Sequence, residues 1–313
     1  MNRLPHELVQ YIIEFCVESV YQFRKWVNMR KIDWKSISKQ PRAIHFLTNA
    51  QHHIHWDAFS SNPRAIPLLE ANRDKINWFE LSGNPNAIPL LEANMDKINW
   101  MQLSMNPGAI SLLEANIDKI NWMQLSMNPG AIPLLEANID KIEWRSLSTN
   151  PGAIHLLEAN RDKIYWGNLS MNPNAIHLLE ANQDKINWYR LSANPNAIHL
   201  LQKNPSYVNW MQLSMNPGAV PLLQQHHHHS TTFNWLMSAN PKILSVINDI
   251  PIVVDHFSYE DWFHLSANPG AIHFLEQHQH HVIWEGFSKN PEIFEINHDE
   301  MQTRAVEITK LFL

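Results

Sequence analysis

Histidine and serine are the residue types in this chain with the most obvious chemical reach. The 313 residues include 19 histidines. His226, His227, His228 and His229 stand in a row and form the one cluster dense enough to attract a transition metal. The plain alternative is low-complexity drift in a loop. His155, His177 and His199 fall one period apart, so they are expected a layer apart, too far to share an ion. His52-His53 and His280-His281 stand near the two ends. Serine recurs at Ser38, Ser60, Ser82, Ser104, Ser126, Ser148, Ser170, Ser192, Ser214, Ser238, Ser266 and Ser288. A nucleophile is not needed in every copy of a repeat, whereas a small residue that bonds turn backbone is. Neither a Cys/His metal spacing nor a phosphate-binding glycine loop is present, and no paired carboxylates stand outside the repeat. The expectation is therefore a chain without catalytic residues, cofactor, resident metal or small-molecule substrate.

These residues are positioned by a unit of 22 residues. Trp34, Trp56, Trp78, Trp100, Trp122, Trp144, Trp166, Trp188 and Trp210 keep that spacing, and Trp235, Trp262 and Trp284 continue it more loosely. A proline series from Pro41 to Pro291 runs in step. A period of this length signals a solenoid, in which each unit buries its apolar face against its neighbours.

Residues 84–105 represent the unit. Ala87, Ile88, Leu90 and Leu91 make one apolar helical face after Asn84-Pro85. Pro89 would break a helix already under way, so the first helix is expected to begin near Ala87, with Asn84, Pro85 and Asn86 as a turn. Asn94 suits a left-handed C-cap. A shorter second helix is capped by Asp96 or Asn99 and buries Trp100 and Leu103. The asparagine before each proline predicts a stacked amide ladder that satisfies turn carbonyls. The recurring Asp-Lys pair, as at Asp96-Lys97, predicts an edge striped with both charges. The tryptophans are expected in the core. The fold class is all-α: a solenoid of about twelve units of two short helices, with helical caps at both ends. Twelve layers at roughly 8–10 Å each give a rod or superhelix on the order of 100 Å long.

Three segments follow. Residues 1–27 are an N-terminal capping segment in which Leu4, Leu8, Ile12 and Phe15 recur at helical spacing. Residues 28–298 are the solenoid, irregular at 226–260, and residues 299–313 form a C-terminal capping helix. Positions that differ between copies carry the information about binding. Met101, Met105, Met123, Met127, Met171, Met211 and Met215, with Tyr189, lie on or beside the second helix. They read either as an adaptable binding face or as completion of the core.

The net charge of −6 and pI near 6.3 argue against binding a nucleic-acid backbone. No apolar run reaches the ~20 residues of a membrane span, and Glu7 and Glu14 interrupt any signal-peptide pattern. The single cysteine, Cys16, fits a reducing compartment. An intracellular protein is expected.

The unit Asn-Pro-x-Ala-Ile-x-Leu-Leu-Glu-Ala-Asn-x-Asp-Lys-Ile-x-Trp-x-x-Leu-Ser resembles short repeats of giant DNA virus proteins, over about residues 28–296. The resemblance implies a virus-encoded chain located in the host cytoplasm or the virion, and it supplies no catalytic residues. A run opening with Leu4 and Pro5 and continuing through Leu8 and Ile12 to Phe15 resembles the start of an F-box. That resemblance implies docking to a ubiquitin ligase, and it is confined to this opening because the repeat register already includes Trp34. The expected function is a non-enzymatic scaffold for protein–protein interaction. The alternatives are a ligase adaptor and a structural virion component.

Overall fold

The computed structural model describes residues 19–225, 240, 242 and 257–311. Within them the chain is an all-α solenoid of short helices. In the unit taken above, the first helix is Ile88–Glu92 and the second is Trp100–Met105, with a 3₁₀ turn, Met95–Lys97, between them. The first helix does begin after Ala87. Pro89 then falls in the first turn, where a helix has no use for the missing N–H. Asn99, not Asp96, caps the second helix, its side chain accepting from the Gln102 N–H. That helix stops at Asn106, which is extended because the following Pro107 disfavours helical backbone there.

The left-handed cap expected at Asn94 is absent. No described residue has a positive φ. Asn94 instead donates its side-chain amide to the Leu90 carbonyl at 2.8 Å, satisfying the helix end without a left-handed residue.

Leu91 and Leu103 are fully buried between layers, as are their equivalents along the chain. The described tryptophans are only half-buried against this core, except the buried Trp262. Two polar series run through the stack. Ser104 Oγ donates to the Trp100 carbonyl (2.7 Å) and accepts the Asn121 N–H of the next unit (3.0 Å). Asn106 Nδ2 donates to the carbonyls of Ser82 (3.2 Å) and Asn84 (3.0 Å) in the preceding unit, while its Oδ1 accepts the Gly108 N–H (3.0 Å). The amide series continues through Asn216 to Asn240 (2.8 Å) and on to Asn268 (3.1 Å).

The series then returns to its start. The Asp33 N–H donates to Ser288 Oγ at 2.7 Å, the bond that each unit makes to its predecessor. Gln40, standing at the asparagine position, donates to the Ser288 carbonyl at 2.7 Å. Arg42 reaches the Pro291 carbonyl at 2.8 Å, as Asn86 reaches that of Pro63. The last unit is thus stacked on the first, and the expected rod or superhelix is corrected to a closed ring. Strand β1 (Tyr21–Phe23) pairs antiparallel with β2 (Phe294–Ile296) across this seam. Trp26 stacks on Phe287 at 4.9 Å, Phe23 packs on Phe294 at 4.6 Å, and Arg42 pairs with Glu292 at 2.8 Å. Part of the segment assigned to an N-terminal helix is therefore a strand. Leu4, Pro5, Leu8, Ile12 and Phe15 lie outside the described residues, as do His226, His227, His228 and His229. A helix, His298–Leu311, follows β2, and its Arg304 reaches the His45 ring at 3.1 Å.

Asp33 ties the seam to a titration. Burial pushes its carboxyl up. Hydrogen bonds from the Ser36 side chain and from the Ser36 and Lys35 backbone, aided by the Lys289 charge, outweigh burial and hold it below the usual carboxylate value. A depressed folded value stabilises above the unfolded pKa, about 3.9, and that contribution is lost as pH falls through the folded value. Hydrogen-exchange protection of the Asn297 N–H, which crosses the seam to the Val20 carbonyl, should accordingly fall below about pH 4 before that of the Asn121 N–H, and Asp33→Asn should abolish the difference. A second expectation concerns the amide series. Asn150→Ala removes bonds to the Ser126 and Asn128 carbonyls and to the Gly152 N–H. It should cost about 3 kcal/mol in urea unfolding, whereas the exposed Asn174→Ala should cost less than about 1 kcal/mol.

Candidate protein-binding site

The two helices of a unit meet their neighbours differently. The last two second helices come together almost backbone to backbone, since a Cβ added to Gly286 would lie 2.4 Å from the Phe263 carbonyl oxygen. Asn168 Nδ2 reaches the Arg145 carbonyl at 2.9 Å, and Arg190 reaches Asn168 Oδ1 at 2.8 Å. First helices are bridged at the surface by longer side chains. His155, His177 and His199 each pair with a glutamate of the preceding unit, Glu136, Glu158 and Glu180, at 2.6–2.9 Å. In a ring, neighbouring units are closest on the inside. The second helices therefore form the inner wall and the first helices the outer one.

The buried side of a second helix is set by Leu103 and Ser104. The residues one and five after the tryptophan lie on the opposite side, four apart and so on one face. This face points into the opening. Met101, Met105, Met123, Met171, Tyr189, Met211 and Met215 are all on it, as is Phe79, with exposures of 40–55%. Met127 is on it but half-buried. The sequence-selected residues are thus gathered on one wall, and they do not complete the core. Apolar residues at these positions run from Phe79 to Met215, interrupted by Gly83, Arg145, Thr149, Gly167 and Ala193. Phe79, which sequence reasoning passed over, was detectable because it occupies the position of Met101 one period earlier.

The opposite arc of this wall flanks the seam and is charged. Lys35, Lys39, Asp57, Glu285 and Lys289 occupy the same two positions of the units on either side of closure, and all are exposed. Lys289 lies 3.8 Å from Glu285 and covers the Phe263 ring at 4.7 Å.

The tryptophan ladder has a role that the repeat pattern did not reveal. Lys75, Lys119, Lys141, Lys163 and Lys185 sit over the rings of Trp56, Trp100, Trp122, Trp144 and Trp166 in the preceding units, at 4.5–5.0 Å. His53, Tyr207 and His281 occupy the lysine position and stack on Trp34, Trp188 and Trp262 at 3.8, 5.0 and 4.4 Å. Among the described residues, those at this position are cationic or planar because the ring face attracts both. The edge read from Asp-Lys is charged and largely exposed, and its lysines also cover half-buried indoles. At His53, burial first and the His52 charge second hold the imidazole pKa below its usual value. Its neutral form stabilises above about pH 6.5, and that contribution is lost as pH falls through the folded value.

Among the described residues no three His, Cys, Asp or Glu side chains are placed to hold a metal, and no helix is long and apolar enough to cross a membrane. Comparison with protein-family models, curated proteins and solved structures gives no match. Fold and wall together define a class, a closed helical-repeat ring with a partly apolar lining.

The covers are testable one at a time. Lys163→Gln should destabilise by about 0.5–1 kcal/mol in urea unfolding, and Lys163→Tyr should restore most of this by reproducing the Tyr207–Trp188 stack.

Proposed function

We propose that this chain is a non-enzymatic scaffold that binds a partner protein on the inner wall of its ring. The observation that carries the reading is the run of exposed methionine and aromatic side chains on successive second helices. Exposed apolar surface of this extent marks an interaction site. Methionine suits such a wall because its unbranched, polarizable side chain adapts to the shape presented to it. The recurring serines support the non-enzymatic reading, since from Ser38 to Ser192 each hydroxyl is held between the tryptophan carbonyl and a backbone N–H of the next unit, as Ser104 is. The resemblance to virus-encoded repeats agrees with a multi-copy binding module. The adaptor and virion readings have no comparable observation behind them.

Full-length wild-type protein and a Met101→Glu/Met123→Glu variant, used as baits in lysate and read by mass spectrometry, test this. The variant should keep its unfolding midpoint within about 0.5 kcal/mol of wild type, because both positions are exposed. It should also lose the partner that wild type captures. Capture that is indifferent to these substitutions sinks the reading.

A further inference from the structure

We infer that the inner wall receives a single amphipathic α-helix of a partner, with its apolar face against the methionine arc and acidic residues on its opposite face. The inference rests on the protein-binding reading and names the form of the partner.

Size gives the first constraint. Twelve repeat units at roughly 8 Å between successive layers close a circle about 30 Å across. Subtracting a helix radius with side chains, about 5–6 Å at each side, leaves an opening of roughly 20 Å. A small folded domain, about 30 Å across, does not enter, whereas a helix about 10–12 Å wide does, lying against one side of the wall. A ring closed through the Ser288–Asp33 and β1–β2 contacts cannot be laid around a folded partner without breaking that seam. Entry is therefore end-on, which a helix permits.

The distribution of side chains gives the second constraint. Phe79, Met101 and Met123 on one side and Tyr189 and Met211 on the other make one arc of the wall largely apolar, with Arg145 and Gly167 between them. The arc facing it carries Lys35, Lys39 and Lys289 against Asp57 and Glu285. Lys289 lies beside Glu285, and Asp57 accepts from the Asn77 side chain. Lys35 and Lys39 stand four apart on one exposed helical face, where they present a positive strip. A helix seated on the apolar arc turns its other face across the opening toward Lys35 and Lys39, so it needs an apolar face and an acidic face. Helix-in-groove recognition works through such a division of faces.

The test uses the full-length chain and three fluorescently labelled 18-residue peptides, read by anisotropy. One carries leucines on one helical face and glutamates on the other. The second has lysine for each glutamate, and the third has the first peptide's composition with its leucines dispersed around the helix. The acidic amphipathic peptide should bind at least tenfold more tightly than either of the others. Met101→Glu/Met123→Glu should weaken it at least tenfold, and Ile139→Glu, an exposed apolar site in a 3₁₀ turn outside the wall, should not. Lys35→Glu/Lys39→Glu should weaken the acidic peptide and strengthen the basic one, with circular dichroism and the urea midpoint confirming that the variants fold. Equal binding of the dispersed peptide, no binding of the acidic one, or indifference to both wall variants overturns the inference. So does displacement of the acidic peptide by one copied from residues 1–18, which would make the occupant the chain's own segment. If the methionine variants still abolish capture of a protein partner while the peptides fail, the scaffold reading stands and helix insertion falls.

Discussion

The buried carboxamide at the end of each second helix is the interaction on which the rest of the ring depends. A helix end leaves carbonyls without partners, and here those carbonyls are buried between layers. Asparagine answers with two donors on one nitrogen and an acceptor beside it. In Asn84 the donors go to Ser60 and Asn62 in the layer behind, at 3.1 and 2.9 Å, and the acceptor closes a turn onto the Asn86 N–H at 3.1 Å. Aspartate has no donor to offer, and a serine hydroxyl has only one. Because both donors act on the preceding layer's backbone, each rung also sets how closely two second helices can sit.

Curvature follows from that spacing. The amide and serine bonds draw the second helices together, while the first helices, bridged by His–Glu pairs at their surface, stand further apart. A small constant rotation per unit bends a solenoid, and a rotation of one-twelfth of a turn closes this one. At the seam the same chemistry recurs with altered parts. Gln40 takes the asparagine position, and its longer side chain reaches the Ser288 carbonyl but leaves its own Oε1 without a protein partner. The strand pair, the Phe23–Phe294 contact and the Arg42–Glu292 pair add cohesion where the chain itself supplies no covalent link.

Much of the layer was legible in the sequence because it repeats. The helix after Ala87, the amide ladder and the backbone-bonding serine all follow from what one residue type can do at one position, repeated with the period. Closure did not show in the same way. Of the residues that make the seam, Tyr21 and Phe23 lie outside the periodic pattern and Phe294 replaces its isoleucine, and rotation per unit is a geometric sum over many contacts with no motif of its own. One sign was present. Ser288 and Asn290 are retained in the final copy, although in an open solenoid that serine would have no following N–H to accept. The lysine covers were hidden for a different reason. Lysine beside aspartate reads as surface charge, and only the exchange of lysine for His53, Tyr207 and His281 indicates an aromatic face beneath.

A framework fixed this tightly leaves some positions without structural duties. The residue three after each regularly spaced tryptophan, leucine except at Ile37 and Phe59, fills the core, and the serine after it bonds two layers, so neither tolerates much change. The residues one and five after the tryptophan touch neither the core nor the ladder. Across copies the first of them is Lys35, Asp57, Phe79, Met101, Arg145, Gly167 or Tyr189, a range of charge and size that no buried position could accept. The same two positions line the opening. Chemistry on the inner wall can therefore change from one unit to the next at little cost to the stack, and the wall need not repeat although the ring does. An apolar arc facing a charged one is the kind of asymmetry that a periodic framework permits only at positions it does not use.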